Sequence, residues 1–416
     1  MKINFCFLLF TTAILAAGCS KKDAPSNPNP DPGTPAPGGH TGTDFPAFMG
    51  IKFNSRDAQS KIIKWNPNLP EKDQIDSSVL ADNVSEGTYG IMGVHGGSHL
   101  NIAYNNLYGV RYVNNRPLAA YWTDGGEKML SEVTGAPMVE ETISSAYRNS
   151  ENGNFDMILQ VFGMNDRGVF KSYYYRISHS GDVTRHLMPD AFAHTSGPVT
   201  TYSGYNASGF KNGKAFAFKT LQYNDGIYTA FAREGGSLHE RVLRREGYHT
   251  FRINATHLDE NATGYILGYC TNNESGAVEW FTLYLPENMK EEDVRFVPVN
   301  LAHDPLQDDL YGATIADGRF YLPGNSRSGN APYYYTVTLP NQNITRLTAD
   351  KHTLELPANA QYVRSRQIAK VGNTLYATGT NGSHACFWKD GKYHPLASGG
   401  AYSTMVSFVF TPYNNN

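Results

Sequence analysis

Three observations predict an all-β fold, a seven-bladed β-propeller with ring closure by a C-terminal strand. The first is composition. The chain has 416 residues with 27 Tyr, 21 Phe and 40 Gly, and only 18% are charged. That aromatic, glycine-rich mixture suits pleated, half-buried surfaces. The second is punctuation. Between residues 45 and 411, short apolar runs alternate with Asn-Gly, Asp-Gly, Gly-Gly and Asn-Asn turns. No long stretch keeps a helical period; the best, residues 286–293, is short and charged. The third is a repeat of about 54 residues, which is propeller spacing and longer than that of solenoids.

The repeat is clearest in LYGVRYVNNRPLAAYWTDGGEKML, from Leu107, and LYATGTNGSHACFWKDGKYHPL, from Leu375. Both run apolar strand, turn, aromatic-ended strand, Asp-Gly turn, and a short strand closing on Leu. Degenerate copies start at Phe48, Phe155, Ala215, Gly264 and Arg319. One aromatic of the second hairpin strand marks the phase: Trp65, Trp122, Tyr174, Phe231, Trp280, Tyr334 and Trp388. The steps between them are 57, 52, 57, 49, 54 and 54 residues. Residues recurring in blade register are expected to pack between neighbouring sheets. In the runs Tyr173-Tyr174-Tyr175 and Tyr333-Tyr334-Tyr335, neighbours face opposite sides of a strand. Edge tyrosines are therefore expected to line a surface groove.

Each unit needs a fourth, innermost strand. Residues 88–94, 142–147, 198–202, 250–254, 310–315 and 362–371 fill that place. Residues 403–410 follow the seventh hairpin without a hairpin of their own. They are expected to pair with the strand beginning at Phe48 and so close the ring, leaving no edge.

The N-terminus reads as an address. Met1-Lys2 is basic, an apolar run follows, and Ala16-Ala17-Gly18 precede Cys19. This is a secretory signal too short for a membrane span, and a cysteine after small residues matches a lipoprotein signal. The organisation expected is a signal peptide at 1–18, a lipid-attachment Cys19 with a flexible linker to 43, and one propeller domain over 44–416. The linker SKKDAPSNPNPDPGTPAPGGHTGT holds no apolar cluster and is partly stiffened by proline. An acylated Cys19 would anchor the chain to a membrane. Cys270 and Cys386 sit in apolar strand-like runs, so a disulfide and two buried thiols both stay open.

The turn Phe387-Trp388-Lys389-Asp390-Gly391, with its copy Tyr121-Trp122-Thr123-Asp124-Gly125, resembles repeats in lipid-anchored β-propeller proteins of Bacteroidetes. That resemblance implies the architecture, the lipid anchor and an envelope location; with the lipidation signal, the outer membrane is expected, with the leaflet open. Those proteins are largely uncharacterised, so it implies no catalytic residue.

Propellers bind on one face, where loops lead into the inner strands. Glu141, His194, His249 and His303 recur there at steps of 53, 55 and 54 residues. His95, His99, Asp304, Asp308, Asp309, Arg364 and Arg366 complete the candidate binding rim. Repeat register does not bring ligands within metal-bonding distance, so no metal site or cofactor is expected, although a structural cation stays open. A net charge of -3 argues against nucleic acid. There is no Gly-x-Ser-x-Gly elbow, no His-Glu-x-x-His, no sialidase-type repeat and no phosphate loop. The expectation is a protein more readily read as non-enzymatic, binding a glycan, peptide or envelope protein. A polysaccharide hydrolase or lyase with its site in the rim loops is the alternative. A structural part of an envelope complex is the third reading.

Overall fold

The computed structural model describes residues 47–54, 59–66, 69–75, 81–85, 89–96, 105–113, 116–123, 126–149, 156–178, 182–189, 191, 205, 207–259, 261–302, 308–310, 313–326, 331–371, 373–398 and 403–410. They form seven sheets, almost wholly antiparallel, in a propeller-like all-β fold. β1 (Ala47–Asn54), β2 (Gln59–Trp65) and β3 (Ala81–Ser85) belong to the first. β4 (Tyr89–Gly96), β5 (Asn105–Val113), β6 (Arg116–Thr123) and β7 (Gly126–Met129) make the second, followed by the single turn α1 (Leu130–Val133). The third is β8 (Glu140–Asn149), β9 (Asp156–Met164), β10 (Phe170–Ile177) and β11 (Val183–Leu187). The fourth is β12 (Ala207–Lys211), β13 (Lys214–Gln222), β14 (Ile227–Arg233) and β15 (Leu238–Leu243). The fifth holds β16 (Tyr248–Leu258), β17 (Thr263–Asn272), β18 (Val278–Pro286) and β19 (Val297–Asn300). In the sixth, β20 (Asp308–Leu310) and β21 (Thr314–Ala316) share one partner, β22 (Arg319–Ser326), which pairs β23 (Pro332–Thr338). β24 (Leu347–Thr348) returns to pair β19 in parallel, and β25 (Asp350–Thr353) completes the sixth sheet. The seventh is β26 (Val363–Val371), β27 (Thr374–Asn381), β28 (His384–Lys389) and β29 (Lys392–Pro395). β30 (Ser403–Phe410) pairs antiparallel with β1, from Ala47 opposite Phe410 to Phe53 opposite Ser403.

All seven phase-marking aromatics fall on the third strand of their sheets, because the period in the sequence is the period of the hairpin. The apolar side chains are buried between sheets. Phe48 and Trp65 of the first pack with Tyr376 and Phe387 of the seventh. Tyr174 faces the fourth sheet among Phe210 and Ala217. Phe231 packs with Phe251 and Phe281 of the fifth. Trp280 packs with Phe320 and Leu322 of the sixth, and Tyr334 meets the core around Trp388 of the seventh. The Trp122 side chain lies outside the described residues. Trp65 also donates from Nε1 to the Ala397 carbonyl at 2.9 Å, tying the first sheet to the segment after the seventh. β30 touches β26, β27 and β28, and β4 on its other side.

Two expectations need correction. Residues 198–202 lie outside the described residues, and the strand that begins the fourth sheet is β12. Residues Ala207 to Lys211 can pair there because a tight turn at Asn212-Gly213 returns the chain directly into β13. The tyrosines of β10 do not line a groove. Tyr173, Tyr174 and Tyr175 are all buried, because the strand is covered on both faces by neighbouring sheets. The segment 286–293 holds only one 3-10 turn, Glu291–Asp293.

The inner strands share a feature that patterning does not predict. Each pairs with the second strand of its sheet through an extra residue: Met92 in β4, Ser144 in β8, Asn254 in β16 (which also shifts between His249 and Arg252), Arg366 in β26 and Ser407 in β30. In the sixth sheet the break between β20 and β21 does the same, with three steps on β22 against four on the inner side. Only the short β12 pairs without a shift. Such bulges bend a strand and re-aim its side chains. In four sheets a glycine of the second strand sits opposite the residue just before the irregularity: Gly109, Gly268, Gly324 and Gly379. The reason is close approach. A Cβ on Gly268 would stand 2.2 Å from the Arg252 carbonyl oxygen, and one on Gly379 would stand 1.8 Å from that of Arg364.

Candidate functional site

The residues expected at the rim do not form one cluster. His99, His194, His303 and Asp304 lie outside the described residues. His95 is on β4, and Asp308 and Asp309 begin β20, but their side chains are not described. Glu141 and His249 are each the second residue of an inner strand, β8 and β16. Arg364 and Arg366 are on β26, Arg366 as its extra residue.

Glu141 is not a rim residue. Its carboxylate is fully buried between the second and third sheets. Oε1 accepts from Tyr173 and Tyr175 hydroxyls, both at 2.6 Å, and Oε2 from the Ala119 amide at 3.1 Å. The Ser131 side chain adds a further bond. Burial raises the carboxyl pKa above 4.5, and these donors pull it back only in part. Tyr173 can reach inward because its neighbour is Gly163, whose Cβ would meet the Tyr173 hydroxyl at 2.3 Å. The burial corrects the reading of Glu141 as a ligand contact. It is a clamp in which a carboxylate of one sheet satisfies an amide of the next.

His249 is exposed, and its Nδ1 lies 2.6 Å from Asn273 Oδ1 on the adjacent turn. Beside it stands a group that sequence reading missed. Arg245 donates from Nη2 to Glu279 Oε2 at 2.9 Å and to the Tyr248 hydroxyl at 3.0 Å, and Tyr248 donates to Glu279 Oε1 at 2.8 Å. The Arg245 guanidinium covers the Tyr248 ring, 3.7 Å from its centroid. Thr250, next along, adopts φ 52°. For a β-branched residue that is a strained conformation.

The start of β26 repeats the strain. Tyr362 adopts φ 55° and is 59% exposed. The Arg364 guanidinium lies over that ring, 4.2 Å from its centroid, and donates to its hydroxyl. Asn381 Oδ1 accepts from the Gln361 amide at 2.8 Å and fixes the approach to the strand. Nothing in the local sequence signals an exposed tyrosine here, since apolar patterning alone would bury it.

Large exposed apolar side chains show which end of the sheets is unusual. Among the described residues they are Leu69, Val133, Val169, Leu187, Val278, Leu356 and Tyr362. All but Leu69 stand at the end of their sheet where the inner strand begins. Val133, Leu356 and Tyr362 lie between a fourth strand and the next inner strand. Val169 lies between second and third strands, Leu187 ends a fourth strand, and Val278 starts a third. Singly scattered apolar residues are ordinary; here six of the seven share one end of the sheets. Among the described residues no cluster of three or more His, Cys, Asp or Glu side chains could hold a metal ion. Cys270 and Cys386 are buried and unbonded.

No family model matches the chain, and no curated protein matches it. Solved structures do. A post-proline cleaving enzyme from Rickettsia typhi is 10% identical with a TM-score of 0.44, covering 88% of this chain and 54% of its own. The chain thus spans about half the length of that enzyme. The β-propeller domain of the Trilobed protease from Pyrococcus furiosus is 12% identical with a TM-score of 0.44, over 84% and 91% of the two chains. A GH43_1 enzyme from Xanthomonas citri is 13% identical with a TM-score of 0.31, over 66% and 98%. Overlap at this level assigns neither substrate nor mechanism. Most of these neighbours are enzymes by name, which goes against the expectation of a protein more readily read as non-enzymatic, and likeness this slight carries no activity over to this chain.

Proposed function

We propose that the chain is a closed seven-bladed propeller that acts on a polysaccharide as a hydrolase or lyase. Its working face is the end where the inner strands begin. The observation that carries this reading is the segregation of exposed apolar side chains to that end, with Tyr362 the aromatic among them. An exposed ring beside a guanidinium and amides suits the C–H face and hydroxyls of a sugar. Catalysis needs two titratable groups at one substrate position. His249, and Glu279 held by Arg245 and Tyr248, stand at that end of the fifth sheet as candidates for such groups. Ring closure is supported by the β1–β30 pairing and by the core shared between the seventh and first sheets. The remaining parts follow from the sequence. Residues 44–416 form the single domain, and a lipid on Cys19 tethers it to the outer membrane through the 19–43 linker.

The test is turnover. The purified protein is incubated with neutral and acidic polysaccharides, and new reducing ends and unsaturated products are measured. Product from any of them supports the reading. Binding without product from a broad panel refutes catalysis and leaves only a binding surface.

A further inference from the structure

The arginines near the working face differ in what they meet. Arg244 meets Asp225 at 3.2 Å, and Arg245 meets Glu279 at 2.9 Å. Arg364 has no carboxylate partner among the described residues. It meets the hydroxyl and ring of Tyr362. A guanidinium presents five donors in a planar fork, and a phenol hydroxyl occupies only part of it.

The pair is also held in place from below. The Arg364 carbonyl is packed over Gly379, where no Cβ fits. Its neighbour Ser365 is clamped to the sixth sheet. The Ser365 amide donates to Asn325 Oδ1 at 2.8 Å, and Asn325 Nδ2 donates to the Ser365 carbonyl at 2.8 Å. The ring of Tyr362 is held in a left-handed backbone conformation that bulky side chains avoid. Strain of this kind persists only where surrounding structure over-determines it, and it concentrates at ligand clamps. The result is an exposed aromatic plate with a guanidinium beside it that meets no carboxylate among the described residues.

We propose that Tyr362 and Arg364 form a subsite for an acidic sugar, a uronate residue of the polysaccharide. The tyrosine stacks on the C–H face of the ring, and the free edge of the guanidinium pairs with the uronate carboxylate. Charge-assisted, fork-to-carboxylate pairing supplies specificity that stacking alone lacks. This inference rests on the polysaccharide reading above and narrows it to acidic chains.

The experiment measures calorimetric binding of two probes to the full chain: trigalacturonate and its fully methyl-esterified form. The ester keeps the rings and removes the charge. The acid is expected to bind at least about tenfold tighter than the ester, a difference of about 1.4 kcal/mol. Arg364→Ala should abolish that preference. Arg364→Lys should keep part of it, since charge remains while the fork is lost, and Tyr362→Ala should weaken both probes. Equal affinity for acid and ester, no binding of either, or a preference unchanged in Arg364→Ala overturns the subsite. The failures separate. If a polysaccharide is cleaved and Arg364 changes nothing, the subsite falls alone. If trigalacturonate binding depends on Arg364 and no polysaccharide is cleaved, the enzymatic reading falls alone.

Discussion

Replacing Gly379 by alanine should both destabilise the fold and disturb the proposed subsite. The new Cβ would stand 1.8 Å from the Arg364 oxygen and 2.8 Å from its carbonyl carbon. Even a very tight contact of about 3.0 Å requires the inner strand to move by about 1.2 Å. Both atoms in conflict belong to the backbone of a paired strand, so no rotamer change relieves the clash. Overpacking of this kind costs about 1–3 kcal/mol, and a backbone obstacle places it near the upper end. At about 2.1 cal/mol/K per residue, about 370 residues give an unfolding entropy near 0.8 kcal/mol/K. A loss of about 3 kcal/mol then lowers the melting temperature by about 4 °C. Thermal unfolding followed by circular dichroism reads this directly. The comparison is Ala217→Gly in the fourth sheet, whose inner strand β12 pairs without a bulge. That change should cost only about 0.5–1 kcal/mol through backbone entropy. A Gly379→Ala protein that melts within about 1 °C of the parent would refute the close-approach account.

Other outcomes follow from the same structure. Glu141 has a raised folded-state pKa through burial, so the folded state holds its proton more tightly than the unfolded state. Its contribution is complete below pH 4.5 and declines as pH rises above it; denaturant midpoints of Glu141→Gln should lack that decline. His257 is the opposite case, pushed down to about 4 by burial. Stability should fall as pH drops from 6.5 towards 4, and His257→Asn should remove that acid sensitivity in urea titrations. Asn325→Ala orphans the Ser365 amide and carbonyl between two sheets and should cost about 2–4 kcal/mol by chemical denaturation. Lys52→Cys with Thr404→Cys, partners in the β1–β30 ladder, should cross-link on mild oxidation and raise the unfolding midpoint. Free thiols in that variant would contradict the pairing.

The repeat was legible because one hydrophobic strand position recurs. Trp65, Trp122, Tyr174, Phe231, Trp280, Tyr334 and Trp388 share the third strand because each sheet repeats the same order of strands. The innermost strands were legible where an alternating run stood close before its hairpin, as at β26, and not at β12, where 198–202 offered a competing pattern. The bulges were not read, since one extra residue shifts the alternation of a short strand by a single position that pattern alone does not distinguish from a strand end. Their trace was present in Gly109, Gly268, Gly324 and Gly379, which recur near whole multiples of the period. Glu141 was misplaced because register says where a residue lies along a strand, not which neighbour faces it. Its four donors come from residues distant in sequence. Tyr362 was missed as a surface group because its exposure depends on a left-handed backbone angle that no residue pattern encodes.

The central claim is that one end of the sheets is the working face. Hydroxyl-radical footprinting of the protein, with and without each polysaccharide of the turnover panel, tests this directly. The account predicts protection at Leu187, Leu356 and Tyr362, with Leu69 at the opposite end unchanged. Protection at Leu69, or equal labelling at Tyr362 with and without polysaccharide, would contradict it.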